Sequence, residues 1–467
     1  MNIITNLDYE KSKNEINGIE NFILDSIRKY KMSKLYKDVL VAKRYFNGES
    51  DIKDRKKQFV NEYGKLVTDN YKANNRVSTD IFKKIVLQEN STLLSNGVNI
   101  ETRIKKKFAR AFDVKLQRLG VEASLGGVGY GYVFPTREGF SMQVISADEF
   151  VPIVDVYTGE LVAGIRFIQL DIDLPMKVEF YEIDGITEYV INGSEIKVLK
   201  DKTSYLTKKI STAISSKIET SNYSILPIIP LYNGLSRRSR LNPSLKSKID
   251  LLEIILSDFG NNLEDMQDIY WLIKNYDGQD LGTFLTELKK YKTLRVQEDG
   301  DVKSQTVEVP YQAREIAIKI LKKQIFSDSM ALDTEEMSGT LTTVEINARR
   351  ENLNLKVDDF ENEVYEFMYK VMTIFEEVEG EQGEYEISFI RSGLINQNEI
   401  IDNIVKIRAD IDQRTALELN PMINNELIDE IIKRTKEENE LILLEADQQQ
   451  FNNEENKQNK EEEDING

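Results

Sequence analysis

The chain has no cysteine and no histidine in 467 residues. The first absence removes disulfides, thiolate nucleophiles and cysteine-ligated zinc together. The second removes the commonest general base, the Ser-His-Asp and Cys-His arrangements and the HExxH zinc site. Any catalysis would have to run on Asp, Glu, Lys, Tyr or Ser. No GxxxxGK[ST] loop occurs either, so neither ATP hydrolysis nor a cofactor or metal is expected. No apolar run reaches the roughly 18 residues of a membrane span, and the opening MNIITNLDYEKSKNEING lacks the order of a signal peptide. The expectation is a protein made in a cytoplasm and without a membrane partner.

Charge is what the chain has in quantity: 80 acidic against 62 basic side chains, a net of -18. The excess is uneven, because residues 437–467 hold eleven Asp or Glu against Lys457 and Lys460. The rest of the chain is only mildly acidic. Tight wrapping of nucleic acid is not expected, since phosphate affinity scales with the Lys and Arg that displace counterions. From residue 445 the sequence EADQQQFNNEENKQNKEEEDING is too poor in apolar residues to build a core and reads as disordered.

Apolar spacing at Ile19, Phe22, Ile23 and Ile27, then at Ile81, Ile85, Val86, Leu93 and Leu94, predicts helices within 8–120. Gly48 and Gly97, each after an Asn, read as the ends of such helices. From Val121 to Val198 apolar and polar residues alternate between Gly, Asp and Asn turns, which predicts an antiparallel meander. Asn242 reads as an N-cap and Pro243 as the first residue of a helix, where a missing amide proton costs nothing. That helix carries a seam at Ile249, Leu252, Leu256, Phe259, Leu263, Met266 and Tyr270.

A compact α/β insertion, Tyr270 to Val309, follows, with YWLIK as a strand and two strands around an Asp-Gly turn. A second helix begins after Pro310. A third has a seam at Leu353, Val357, Phe360, Val364, Phe367, Val371 and Ile374. EYEISFI reads as a strand and two amphipathic helices complete the chain, with no tandem repeat. The fold class is α+β, mainly helical.

Several clusters invite a chemical reading. GGVGYGY sets Gly127, Gly129 and Gly131 as GxGxG, but Tyr132 follows where a dinucleotide fingerprint needs glycine, and a strand follows rather than a helix. Glycines that let a strand bend or another backbone approach are the better account. Asp258, Glu264, Asp265 and Asp268 have no histidine to join them and read as a solvated face. EDGDVK lacks the ligand order of a calcium loop.

In the second helix Lys319, Lys322 and Lys323 fall in a wedge about 100° wide, while Ile316, Ala317, Ile318, Ile320, Leu321 and Ile325 take most of the rest. Such a wedge shows its lysines to water in a monomer, or stacks rings of positive charge in a ring. The polar linker SDSMALDTEEMSG, Ser327 to Gly339, is long for a helix connection and is either slack or functional.

Taken in order, YFNGE with Ile52 and Arg55, NNRVS before LLSNGV, EFVPIVD before ELVAGIRF, LPIIPLYN, LSDFGNNLEDMQDIYWLIK, EDGDV, SGT before the long helix, and IDQRTALELNPMINNELIDEIIKRTKEE resemble the portal proteins of tailed bacteriophages. The likeness covers about residues 30–440 and points to the subfamily of the Bacillus phage SPP-one portal. It implies a wing at 15–239 and 340–391, stem helices at 240–269 and 311–326, a clip at 270–310, a tunnel loop at 327–339 and a crown at 392–444.

It further implies a non-enzymatic, usually dodecameric ring at one capsid vertex of the virion, assembled in the host cytoplasm. Double-stranded DNA would pass through it without sequence-specific binding. The implied partners are other copies of itself, the terminase large subunit, a head-tail adaptor, and the major capsid and scaffolding proteins. Asp333, Glu335, Glu336, Ser338 and Gly339 would stand in the channel, Lys319, Lys322 and Lys323 are the candidates for a basic channel surface, and Tyr276, Asp277, Leu281 and Phe284 for docking at the clip. The family loop is usually richer in glycine, and the acids of LDTEEM leave gripping, gating and repulsion of DNA all open. Two other readings stay open: a different virion or tail-collar ring component, and a cytosolic helical adaptor. Carboxylate-based hydrolysis ranks last, because no paired-acid motif stands above background.

Overall fold

The computed structural model describes residues 4–60, 63–68, 73–169, 171, 173–211, 216–265, 270–273, 302–305, 311–333, 343–380, 383, 385–392, 404–408, 411–420, 423 and 427–438. The chain divides into two units, Met1–Arg391 and Ser392–Gly467. In the first, β1 (Ile4–Thr5) leads into α1 (Asn6–Lys13), α2 (Gly18–Met32) and α3 (Lys34–Phe46). Ile23 and Ile27 are buried with Ile19 and Phe22 packed against their cluster, as the spacing predicts. After α3, Gly48 takes a φ of +73°, the left-handed turn that closes a helix at little cost only for glycine.

A hairpin of β2 (Gln58–Val60) and β3 (Leu66–Thr68) then interrupts the predicted helices. Strands of three residues are too short for an alternating pattern to register. Next come α4 (Ile81–Leu94), β4 (Val98–Asn99), α5 (Thr102–Lys105) and α6 (Phe112–Gly126).

The predicted meander is two sheets, and it starts later than Val121. Leu116, Leu119 and Ala123 are helix-spaced and buried, so α6 continues to Gly126. β5 (Val128–Thr136) and β6 (Gly139–Ile145) pair antiparallel. β7 (Phe150–Val154), β8 (Leu161–Ile168), β9 (Met176–Glu182), β10 (Gly185–Asn192) and β11 (Glu195–Thr203) form the meander proper, with β1 added parallel to β7. After the hairpin β12 (Leu206–Ser211) and β13 (Ser216–Ser221), β14 (Ile228–Tyr232) returns to β5 to give the order β14-β5-β6. The glycines of GGVGYGY serve this junction. Gly127, at φ +81°, ends α6, and a Cβ there would stand 2.7 Å from the Arg237 carbonyl oxygen.

The remaining elements of this unit are α7 (Pro243–Asp265), β15 (Tyr270–Ile273), β16 (Val302–Gln305), α8 (Tyr311–Asp328), α9 (Thr343–Glu379) and β17 (Ser388–Phe389). β15 pairs with β16, and β17 with β4. All seven seam residues of α9 are buried in the largest core cluster, against α6 and the β14-β5-β6 sheet. In the second unit α10 (Gln413–Glu418) is capped by Asp412, which accepts from the amides of Arg414 and Thr415, and 428–438 is helical. The architecture is mixed helix and sheet.

Candidate functional site

The site is built on α7 and α8. Asn242 caps α7 as predicted, its Oδ1 accepting from the Leu245 amide at 2.9 Å. The two helices run antiparallel. Phe259 meets Tyr311 at one end, with ring centroids 6.1 Å apart, and Lys248 pairs with Asp328 at 2.5 Å at the other. Between them Leu245, Ile249, Leu252 and Ile325 are buried, with Leu256, Ile318 and Leu321 packed on the same cluster. The predicted seam of α7 thus holds through its first half. Leu263 is 51% exposed, and Met266 lies outside the described residues.

A second face of α7 is polar and just as buried. Glu253, Ser257 and Asn261 recur every four residues and are all inaccessible to solvent. Glu253 accepts from the Thr79 amide at 2.7 Å, the Thr79 hydroxyl at 3.0 Å and the Ser50 hydroxyl at 2.5 Å. Ser257 accepts from the Val77 amide at 2.9 Å, and Asn261 from the Asn75 amide at 2.7 Å while donating to the Asn75 carbonyl at 3.2 Å. The amides of Asn75, Val77 and Thr79, every second one across NNRVS and the threonine after it, are therefore met by side chains spaced one helical turn apart, running back along α7. The periods agree, because two extended residues advance about 6.6 Å and four helical residues about 6 Å. The ladder gives this extended segment the partner that a neighbouring strand would otherwise supply, and it satisfies the buried polar side chains of α7. Tyr45 donates to Asp250 on the same helix, and its hydroxyl pKa is pushed up by burial and then by that carboxylate.

A buried charge cluster ties the scaffold behind the pair. Glu89 on α4 is fully buried and accepts two hydrogen bonds from Arg240, one at 3.0 Å through Nε. Lys356 on α9 brings its ammonium to 3.1 Å from the same carboxylate. Burial pushes the Lys356 pKa down against the attraction of Glu89.

α8 splits the lysine wedge. Lys319 is exposed and pairs with Glu315 at 2.7 Å, a bond that holds its ammonium pKa up. Lys323 is exposed, whereas Lys322 is half-buried. Lys319 and Lys322 share a groove of about 500 Å³ with Phe259, Arg314, Glu315 and Asp333. The groove thus joins two residues of the basic wedge to Asp333, the first of the acids expected to stand in the channel. The apolar set of α8 divides as well. Ile318, Leu321 and Ile325 turn inward, but Ile316 is 57% exposed and Ile320 51% exposed.

Helix α8 also runs to Asp328, two residues into the stretch predicted as linker. Glu335, Glu336, Ser338 and Gly339 lie outside the described residues, as do Tyr276, Asp277, Leu281 and Phe284. Sequence reasoning missed the ladder and the Glu89 cluster. A polar stripe at 253, 257 and 261 beside an apolar seam was the signal for the first. Among the described residues no group of three acidic side chains could hold a metal, and no helix is long and apolar enough to cross a membrane.

Residues 25–443 match the family model described as phage portal protein, SPP1 Gp6-like. The portal protein of Clostridium phage phiCD119 is 27% identical over 354 residues, covering 70% of this chain and 76% of its own. The portal protein of Bacillus phage SPP1 is 23% identical over 433 residues, covering 86% and 83%. A chain in the solved virion of a native gene transfer agent particle aligns over 80% of this chain and 88% of its own, at 10% identity and a TM-score of 0.44.

Proposed function

The chain belongs to the SPP1 Gp6-like family of phage portal proteins, and from that premise we propose that copies of it form a dodecameric ring at one capsid vertex, a conduit for viral DNA. In this reading α7 and α8 are the stem, the insertion 270–310 is the clip that docks the terminase large subunit and later the head-tail adaptor, and 392–444 is the crown. The stretch from Asp333 to Gly339 projects into the channel, where its acids, repeated in every copy, form a negative collar that lets DNA slide or be valved. A mildly acidic wall suits a conduit, because repelled phosphate does not stick.

The observation that carries the reading is α8. A helix apolar on two opposite faces needs two neighbours, and among the described residues the chain supplies only one, leaving Ile316 and Ile320 in solvent. A second copy supplies the other. Mass photometry and negative-stain images of the purified chain test this. Closed rings with a central hole wide enough for duplex DNA are expected, and a monomer or an elongated dimer at micromolar concentration would refute the proposal.

A further inference from the structure

Resting on that ring reading, we infer that the outer face of α8 in one copy packs on the free face of α7 in the next, Ile316 and Ile320 against Leu251, Ile254 and Ile255. α7 has one side on α8 and one side on the polar ladder. Its third side carries Leu251, 47% exposed, with Ile254, Ile255 and Asp258 half-buried beside it. Both patches are apolar with a charged margin, basic on α8 through Lys319 and acidic on α7 through Asp258. Asp258 has no ion-pair partner among the described residues.

Their heights agree, which is what a ring requires. A rotation about an axis along the helices moves a residue sideways without raising it, so surfaces that meet in a cyclic assembly must lie at one level. The contacts Phe259–Tyr311 and Lys248–Asp328 fix the relative level of α7 and α8 within a copy. Stepping between those anchors at about 1.5 Å per residue on each helix puts Ile320 level with the turn that holds Leu251, Ile254 and Ile255. Ile316 falls level with the turn of Ile255 and Asp258. Lys319 then stands about one turn from the next copy's Asp258, within reach of a lysine side chain, and its exposed pair with Glu315 is cheap to exchange.

The two patches differ, so the contact is head-to-tail and closes by rotation instead of stopping at a dimer. It also narrows the expected lysine-lined channel: of the two lysines that line the groove within a copy, the exposed Lys319 is shared with the neighbouring copy and the half-buried Lys322 is not.

A chain without cysteine is a clean background for the test. Leu251→Cys and Ile320→Cys are introduced together and treated with a short bifunctional maleimide. A ladder of covalent multimers up to the full ring is expected from the double variant, with each single variant giving no species beyond a dimer. Lys319→Asp should raise the concentration needed for rings, and Asp258→Lys added to it should restore them, which keeps the test decisive if the cysteine variant misfolds. Rings of the parent chain without a ladder, from a double variant with the parent's circular dichroism melt, overturn the seam and leave the ring reading standing. Absence of rescue by the charge swap overturns it equally. A parent chain that forms no ring overturns the ring reading, and the seam with it.

Discussion

Glu89→Gln is the most consequential single substitution on the scaffold. The parent carboxylate is fully buried between the Arg240 guanidinium and the Lys356 ammonium. Neutralising it leaves two cations facing each other in the interior. Removing one partner of a buried pair costs about 3–5 kcal/mol, and two stranded charges argue for the upper end. Lys356 sets a ceiling, because it can shed its proton. From an ordinary value near 10.5 down to pH 7 that escape costs about 5 kcal/mol, at about 1.4 kcal/mol per unit.

The same reasoning fixes the pH dependence. Lys356 is already lowered in the folded chain, so between its folded and unfolded pKa values the unfolded chain binds more protons and stability rises with pH. Glu89→Gln extends that window downward, so its deficit should be smaller at pH 9 than at pH 7, with the ceiling set by Lys356 falling from about 5 to about 2 kcal/mol. Urea titrations followed by far-ultraviolet circular dichroism at the two pH values measure this. A deficit under about 1 kcal/mol at pH 7 would refute the buried-pair account, and a large deficit unchanged by pH would refute the role given to Lys356.

Asn242→Ala removes the cap of α7 and should cost about 1 kcal/mol, seen as a lowered thermal midpoint with no change in helix content. Ser257→Ala takes the acceptor away from the Val77 amide, and because that bond is only half-buried the loss should be about 0.5–1.5 kcal/mol. Its signature is faster hydrogen exchange at Val77 with little change at the amides of α9. Gly127→Ala forces a side chain into a left-handed backbone and against the Arg237 carbonyl, so it should lower the thermal midpoint more than a Gly→Ala change at the open Gly159, which has a similar φ.

What could be read in advance followed from period and punctuation. The seam of α9 is a heptad pattern over an uninterrupted helix, and all seven positions are buried. Asn242–Pro243 and the two Asn-Gly pairs are local chemistry, and each acts where it was expected. The errors arise where partners are distant in sequence. Val121 to Gly126 is apolar enough for either strand or helix, and its contacts in α6 decided it. The sheet split because β14 returns to β5 across about a hundred residues, which no alternating pattern announces. For the site, helical spacing placed Lys319, Lys322 and Lys323 on one wedge, but only the position of α7 could show that Lys322 turns toward the groove and that Ile316 and Ile320 do not turn inward. Glu89, Arg240 and Lys356 are 151 and 116 residues apart along the chain, and nothing local marks them as a cluster.

The ladder on α7 bears on assembly as well as on folding. Association loses free energy to whatever must be ordered at the interface, so a surface held rigid before contact binds more tightly for the same area. α7 is held on one side by apolar packing against α8 and on another by Glu253, Ser257 and Asn261, which leaves it no freedom to turn its Leu251 face away. A purely apolar second side would hold the helix too, but without fixing its register, because apolar contacts slide while a hydrogen-bond ladder matches one rung at a time. Register matters in a ring, where an axial error at one seam recurs at every seam and prevents closure. Ser257→Ala and Asn261→Ala together should therefore impair ring closure more than they impair stability, giving open arcs in negative stain at temperatures where circular dichroism still shows a folded chain. Closed rings from that double variant would sever the link between ladder and assembly.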